Sequence, residues 1–259
     1  MRGRIDGLYL TLAQQTRDEW RNIVNWTQIS DNPICPEVLL PVTTELRSLR
    51  KSRSGYLDIF DNFITNQSVL DIGIVEHDIS HIESPTWKHK YIKERAAHVL
   101  GIDIVPKGIK FLKERGFNVR LADATSDEDL GERFERVVIG DVIEHVDNPI
   151  RLLQFAARHL ATDGLILVST PNPYWIKHIL TTLVKGTAVT NADHVSWVSP
   201  SAALEIGRRA GLRLREYWLM RLGKASVKRA VLDLLNRIAP DSELLASKFV
   251  YVYEKPGLQ

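Results

Sequence analysis

Three short apolar runs that each end in an acidic residue constrain the fold of this chain more than any other feature. They are SVLD at 68–71, VLGID at 99–103 and VVIGD at 137–141. Continuous apolar runs of this length are typical of parallel strands that are buried on both faces of a sheet. Ligands of open parallel sheets bind at the carboxyl ends of the strands, so the three acids predict a nucleotide-like cofactor at that edge.

Strand and helix patterns alternate through most of the chain. The predicted strands are 69–72, 99–102, 119–122, 137–140, 164–169, 212–220 and 248–253, and the predicted helices are 87–97, 107–115, 149–160, 200–210 and 226–238. This order predicts an α/β fold in which right-handed crossovers build a mostly parallel sheet flanked by helices.

Composition limits the function classes. The chain has 259 residues, 44% of them apolar, which is enough for one large α/β domain. The formal charge is only +2, so we expect no nucleic-acid partner. There is a single cysteine, Cys35, and no apolar run of about 18 residues; we therefore expect a cytoplasmic protein with no disulfide and no membrane span.

The amino-terminal part has a different pattern from the rest. Apolar residues recur at helical spacing over 5–26, which predicts an amphipathic helix. Pro33, Pro36 and Pro41 then predict a connector, followed by a short helix over 45–53. We therefore divide the chain into a helical extension at 1–55, expected to be a lid or an oligomer contact as in a homodimer, and a catalytic domain at 56–259.

Two segments carry a resemblance to a known family. The run through Asp71 and the segment GDVIEHVDNP at 140–149 resemble class I S-adenosylmethionine-dependent methyltransferases, in their small-molecule branch. The resemblance implies a Rossmann-like sheet of seven strands whose last strand is antiparallel. The segments 71–78, 87–96 and 96–104 are similar to those of glycan-pathway O-methyltransferases, which implies a sugar hydroxyl, or another small molecule, as the methyl acceptor.

The resemblance also implies where the cofactor S-adenosyl-L-methionine binds. Asp103 would accept both ribose hydroxyls, Asp123 the adenine amino group, and Asp71 would lie near the methionine ammonium. The alternatives are that Asp103 and Asp123 only cap helices. The expected cofactor-binding set is Asp71, Gly73, Asp103, Ile104, Asp123, Ala124, Gly140 and Asp141.

The turn after the first of these strands departs from the family pattern. The family has three glycines there, and this chain keeps only Gly73. Extra sequence follows at 79–90. With Trp87, His89 and Tyr91, it predicts either a wall of the cofactor pocket or a surface helix that Trp87 and Tyr91 pack.

His145 is the best candidate for a catalytic base. An imidazole has an ordinary pKa of about 6.5, and Glu144 or Asp141 would fix its tautomer. The alternative is a helix-start residue bound to backbone. In the family, a loop carrying a histidine closes over the acceptor, which implicates Asp193 and His194. We expect Trp197 to be a core residue, and His81, His89, His98, His159 and His178 to be surface or helix residues.

A metal ion is a further hypothesis. Asp141, Glu144 and Asp193 offer carboxylates that would suit Mg²⁺, together with His145 and His194. The sequence has no compact ligand motif of the HExxH kind.

Two other function classes remain open from the sequence. One is an NAD-type oxidoreductase, disfavoured because the chain lacks GxGxxG and ends in a late pair of strands. The other is a non-catalytic nucleotide-binding module with a degenerate glycine turn.

Overall fold

The computed structural model describes residues 34–53, 55–75, 80, 82, 84, 87–220 and 242–257. The helices predicted over 5–26 and 226–238 lie outside these residues. The chain divides into two compact units, 1–49 and 50–259. The candidate site lies in the larger unit.

The described residues form seven α-helices, one 3₁₀ helix and eight strands. The α-helices are α1 (Pro36–Leu49), α2 (Tyr56–Ile64), α3 (Lys88–Lys93), α4 (Pro106–Glu114), α5 (Pro149–Arg158), α6 (Ile176–Lys185) and α7 (Pro200–Arg209), and the 3₁₀ helix is Glu243–Leu245. The strands are β1 (Arg50–Arg53), β2 (Ser68–Ile72), β3 (His98–Asp103), β4 (Val119–Leu121), β5 (Phe134–Gly140), β6 (Leu160–Pro171), β7 (Arg213–Met220) and β8 (Lys248–Glu254).

The strands form one mixed sheet in the order β1-β7-β8-β6-β5-β2-β3-β4. Neighbouring strands are parallel except that β8 runs antiparallel to both β6 and β7. The mostly parallel α/β sheet with an antiparallel last strand is therefore confirmed. Its central strands β5, β2 and β3 are the three acid-ended runs, so their carboxyl ends meet at one edge.

The sequence prediction was wrong at the amino-terminal side of this sheet. Residues 50–53 are an edge strand parallel to β7, whereas a helix was predicted to Arg53. Their sequence RKSR has no apolar alternation, so nothing in it signals a strand. The helix before it begins at Pro36 and contains Pro41, in the region that was predicted to be a connector.

Local chemistry explains where the other helices start. Pro106, Pro149 and Pro200 lie in the first turn of α4, α5 and α7, where a missing backbone N–H costs nothing. Asn148 and Ser199 accept N–H bonds from Arg151 and Ala202 and so cap α5 and α7. Two helices, α2 and α6, were not predicted, although both have apolar residues at helical spacing.

Apolar clusters cover the sheet and hold the strands in place. One joins residues of α2 and α3 to the sheet through Val69, Val138, Leu167 and Val250. A second packs Ile74, Val75 and Trp87 against α4 and β4. None of the described helices has the length and apolar character needed to cross a membrane.

The packing of α7 on β8 gives a first prediction. A Cβ atom at Gly207 would lie 2.5 Å from Cε1 of the buried Tyr253. We expect Gly207→Val to lower the free energy of unfolding by about 1–3 kcal/mol through overpacking, measured by urea denaturation. Gly257→Val is the control, because a Cβ atom at that glycine would meet no neighbouring atom within 4 Å. Equal stability of both variants would contradict this packing.

Candidate active site

The carboxyl ends of β2, β3 and β5 open into one cavity of about 1110 Å³. Segments that follow these strands form its walls, together with the loop around residues 190–194. All the predicted site residues except Asp71 line it, namely Gly73, Asp103, Ile104, Asp123, Ala124, Gly140, Asp141, Glu144, His145, Asp193 and His194. The cavity therefore brings the predicted cofactor set and the predicted catalytic set together.

Gly73 forms the turn that leaves β2. Its φ of +83° belongs to the left-handed region, and a Cβ atom there would lie 2.2 Å from Cγ2 of Val142. The next two residues, Ile74 and Val75, are buried in the core beside Trp87. The turn lies so close to the segment after β5 that only glycine fits at position 73. Ile74 and Val75, which follow it where the family has further glycines, pack into the core.

Asp103 joins the turn after β2 to the end of β3. Its Oδ2 accepts an N–H bond from Val75 at 2.9 Å, and its Oδ1 accepts one from Val105 at 3.0 Å. Asp103 does not cap α4, because Val105 is the cap residue of that helix. Each carboxylate oxygen has two lone pairs, so each can still accept a hydroxyl from a ligand in the cavity.

Asp123 closes a tight turn after β4. Its Oδ1 accepts hydrogen bonds from the backbone N–H and the hydroxyl of Thr125, both at 2.7 Å. The residues that follow form a turn and not the helix that the cap interpretation required. The role of Asp123 toward adenine stays a prediction.

Asp71 lies behind the cavity wall. Its side chain is buried, and its Oδ2 is 2.8 Å from Nδ1 of His89, which is also buried on α3. His89 is a helix residue, as expected, but its burial and its pairing with Asp71 were not predicted. Its pairing with Asp71 fixes α3 beneath the cavity, and the role of Asp71 toward the methionine ammonium stays a prediction.

The segment that contains α3 is more than a surface helix. Trp87 is buried and donates its indole N–H to the carbonyl of Ile74 at 2.8 Å, while Tyr91 is half-buried and donates to Asp61. Lys88, which directly follows Trp87, lines the cavity. The extra sequence therefore contributes to the wall, through a residue that sequence reasoning missed.

Asp141 is the centre of a charged cluster at the end of β5. Its Oδ2 accepts from Lys88 Nζ at 3.3 Å and from Lys248 Nζ, and its Oδ1 accepts from the Ser169 hydroxyl at 3.1 Å. Burial alone would raise the pKa of Asp141, but the two ammonium groups lower it to about 2. The backbone is strained here, with a φ of +58°.

Glu144, three residues later, has the opposite electrostatic character. Its side chain is buried, and its Oε2 accepts a hydrogen bond from Thr170 at 3.0 Å. Its Oε1 has no partner among the described residues. Burial, with a smaller contribution from Asp141, raises the pKa of Glu144 to about 7.

His145 faces the loop that follows α6. Its Nδ1 lies 3.3 Å from Oδ2 of Asp193, and its ring lies edge-on to that of His194 at 4.8 Å between centroids. Val195 and Ser196 donate backbone N–H bonds to the carbonyl of Glu144, which fixes the loop against the segment after β5. Two segments distant in sequence thereby present one carboxylate and two imidazoles to the cavity.

Comparison with known proteins identifies the family. Residues 45–217 match a family model described as a methyltransferase domain. The chain belongs to this methyltransferase-domain family. Two curated relatives are both named ubiquinone biosynthesis O-methyltransferase. The one from Nitrosomonas europaea is 26% identical over 183 residues, which cover 64% of this chain and 72% of the relative. The one from Aeromonas salmonicida is 27% identical over 138 residues, covering 47% and 56%.

Solved structures support the fold of this methyltransferase domain. A SAM-dependent methyltransferase from Archaeoglobus fulgidus aligns with a TM-score of 0.50 and 20% identity, covering 83% of this chain and 93% of that chain. A chain from the Haloferax volcanii complex of the Trm112 activator with a putative methyltransferase aligns with a TM-score of 0.51 and 14% identity, covering 75% and 85%. At these identities the likeness shows the fold alone.

The methyltransferase site gives the magnesium hypothesis no support. Asp141 binds the ammonium groups of Lys88 and Lys248. Among the described residues, the carboxylates of Asp141, Glu144 and Asp193 do not form one ligand cluster. The donor atoms that do come together, within 4.8 Å of one another, belong to Glu144, His145 and His194. A set with two imidazoles suits transition metals better than Mg²⁺, which prefers oxygen ligands.

The surroundings of several aromatic residues of the methyltransferase were not predicted from the sequence. Trp197 was expected in the core, but its side chain is 43% exposed, with its ring edge-on to His178 and His194. His178 lines the cavity together with Trp175. His159 is buried, accepts an N–H bond from Leu130 and has a structural role.

Glu144 gives a prediction on pH dependence. The pKa of Glu144 is about 7 in the folded state, against an ordinary value of 4.5. Below pH 4.5 the carboxyl is protonated in both the folded and the unfolded state and does not lower stability. Above pH 7 it is ionised in its buried site and lowers the free energy of unfolding by the full amount. Glu144→Gln should therefore gain stability over the wild type as pH rises from 4.5 to 7, by about 3 kcal/mol in all.

Urea denaturation at several pH values measures this difference. Glu114→Gln, at an exposed position of α4, is the control and should show no such trend. A stability difference for Glu144→Gln that is the same at every pH would show that this carboxyl is not the buried titrating group.

Proposed function

We propose that the chain is an S-adenosylmethionine-dependent O-methyltransferase that acts on a hydroxyl of a small molecule, with His145 as the base. The observation that carries the proposal is the shared cavity, in which the free lone pairs of Asp103 and the His145–Asp193 pair face the same space. The carboxylate of Asp103 suits the cofactor's ribose, and the His145–Asp193 pair suits proton removal from an acceptor.

The residues present fit the cofactor. Asp103 is fixed by two backbone N–H bonds and retains acceptor capacity for a pair of ribose hydroxyls. Gly73 allows the backbone of the turn to lie close to a ligand, and Asp123 follows β4 at the adenine position that the resemblance implies. When bound, the cofactor supplies a methyl group on a sulfonium, which is transferred by in-line displacement.

His145 is suited to remove a proton from the acceptor. Asp193 stabilises the tautomer with a proton on Nδ1, which makes Nε2 the basic nitrogen. His194 lies beside it on the loop and Glu144 beneath it, so both can orient a hydroxyl. These assignments rest on geometry, and methyl transfer otherwise needs mainly alignment of the reacting atoms.

The acceptor is proposed to be a hydroxyl group. The names of the two curated relatives specify O-methylation, and the sequence resemblance favours a sugar or glycan intermediate. Sugar hydroxyls are weak acids, so a base in the cavity matters for them.

We further propose that residues 1–55 form a lid or an oligomer contact next to a catalytic domain at 56–259.

The cofactor assignment predicts the effect of a substitution at Asp103. Asp103→Ala should weaken binding of S-adenosylhomocysteine by roughly 1.5–3 kcal/mol for each charged hydrogen bond lost, measured by calorimetry. Asp163→Ala, at an exposed position away from the cavity, should bind normally. Unchanged affinity of Asp103→Ala would remove this residue from the site, and no binding by the wild type would favour a non-catalytic module.

The chemical assignment predicts the effect of a substitution at His145. Turnover of labelled S-adenosylmethionine with a panel of sugars, phenols, lipids and amines should identify a hydroxyl acceptor. With that acceptor, His145→Ala should lose about 10²- to 10⁴-fold in turnover, with cofactor affinity nearly unchanged. Asp193→Asn should lose less, because it only orients the base.

His98→Ala is the matched control, because this half-exposed histidine does not line the cavity. Activity of His145→Ala that is restored by added divalent metal would assign the cluster to an ion instead of a proton. Wild-type turnover by His145→Ala at every pH would contradict a base role.

A further inference from the structure

Two lysines reach the same wall of the cavity from distant parts of the chain. Lys88 comes from the start of α3 and Lys248 from the start of β8, and both contact the carboxylate of Asp141. Both also line the cavity. This wall of the cavity therefore presents two ammonium groups that share one carboxylate.

Lys88 has an unused hydrogen-bonding capacity. Its ammonium group has three N–H donors, and two of them reach the carbonyl of Gly140 at 2.9 Å and Asp141 Oδ2 at 3.3 Å. The side chain is only 20% exposed, so its charge is partly removed from water. An anionic ligand group in the cavity would accept the third N–H in a charge-assisted hydrogen bond.

Two backbone N–H groups of the turn after β2 are already bonded within the protein. The N–H of Gly73 donates to the carbonyl of Ile102 at 2.9 Å, and the N–H of Val75 donates to Asp103. These two donors are therefore committed to the protein itself. Lys88 offers a charged donor to an anion beside this turn, where those two N–H groups cannot.

We propose that Lys88 binds the carboxylate of the amino-acid end of S-adenosylmethionine. The inference rests on the proposed function and adds a binding residue to it. Asp103 and Asp123 follow β3 and β4 and so place the nucleoside at that side of the sheet. The amino-acid end then faces β2 and β5, where Lys88 lies against Gly140, and the carboxylate is its only anionic group.

Asp141 acts in this arrangement as a positioning residue. It holds both ammonium groups while Ser169 holds its other oxygen. The left-handed backbone at Asp141 costs energy for a residue other than glycine, and such strain is typical of functional sites. The side chain of Lys88 is thereby fixed before the ligand arrives.

Two ligands that differ only in the carboxylate test the assignment. Calorimetry should compare S-adenosylmethionine with decarboxylated S-adenosylmethionine on the full chain. Lys88→Met should weaken binding of S-adenosylmethionine by about tenfold to 100-fold, the loss of one charged hydrogen bond. Binding of the decarboxylated ligand should be unchanged or tighter, because Asp141 and the Gly140 carbonyl become free to accept its ammonium.

Lys90→Met on the exposed side of α3 is the matched control, and both ligands should bind it as they bind the wild type. Circular dichroism melting confirms that each variant is folded. An equal loss for both ligands, or no loss for either, would overturn the assignment of Lys88 and leave the proposed function standing. Failure of the wild type to bind either ligand would overturn both.

Discussion

The hydrogen bonds between the turn after β2 and the end of β3 are the constraint on which the rest of the site depends. Gly73 donates to the carbonyl of Ile102, and Val75 donates to Asp103. These bonds fix Asp103, which lines the cavity, and they hold the turn in the conformation in which the side chains of Ile74 and Val75 are buried in the core. Without them, Asp103 would keep only the hydrogen bond that it accepts from Val105.

Two carboxyl groups three residues apart have opposite protonation behaviour because their surroundings differ. Asp141 meets two ammonium groups and stays ionised, whereas Glu144 is buried beside a hydroxyl and holds its proton to about pH 7. Environments that push the pKa values of neighbouring acids apart are a general way to assign separate roles. Here one acid binds two ammonium groups, and the other lies beside two imidazoles.

The sequence predicts what depends on one element at a time. Buried runs identified the central strands, and prolines marked the starts of α4, α5 and α7, because these signals are local. The pairing of Lys88 with Asp141 joins residues 53 positions apart, and the burial of His89 against Asp71 depends on how α3 packs. Neither leaves a periodic signal. The edge strand at 50–53 was not predicted because its sequence, RKSR, has no apolar pattern. It is a strand because it pairs with β7, which is distant in sequence.

The two strands that end the described sheet also protect it from sheet extension. An edge strand offers unpaired backbone groups to other chains, and natural proteins counter this with short, charged edges. β1 has four residues, three of them cationic, and β4 has three residues with Arg120 at its centre. Addition of a second chain at the β1 edge would bring like charges together, and at the β4 edge the ladder would be only three residues long. These edges therefore disfavour aggregation by strand addition, both during folding and at high protein concentration.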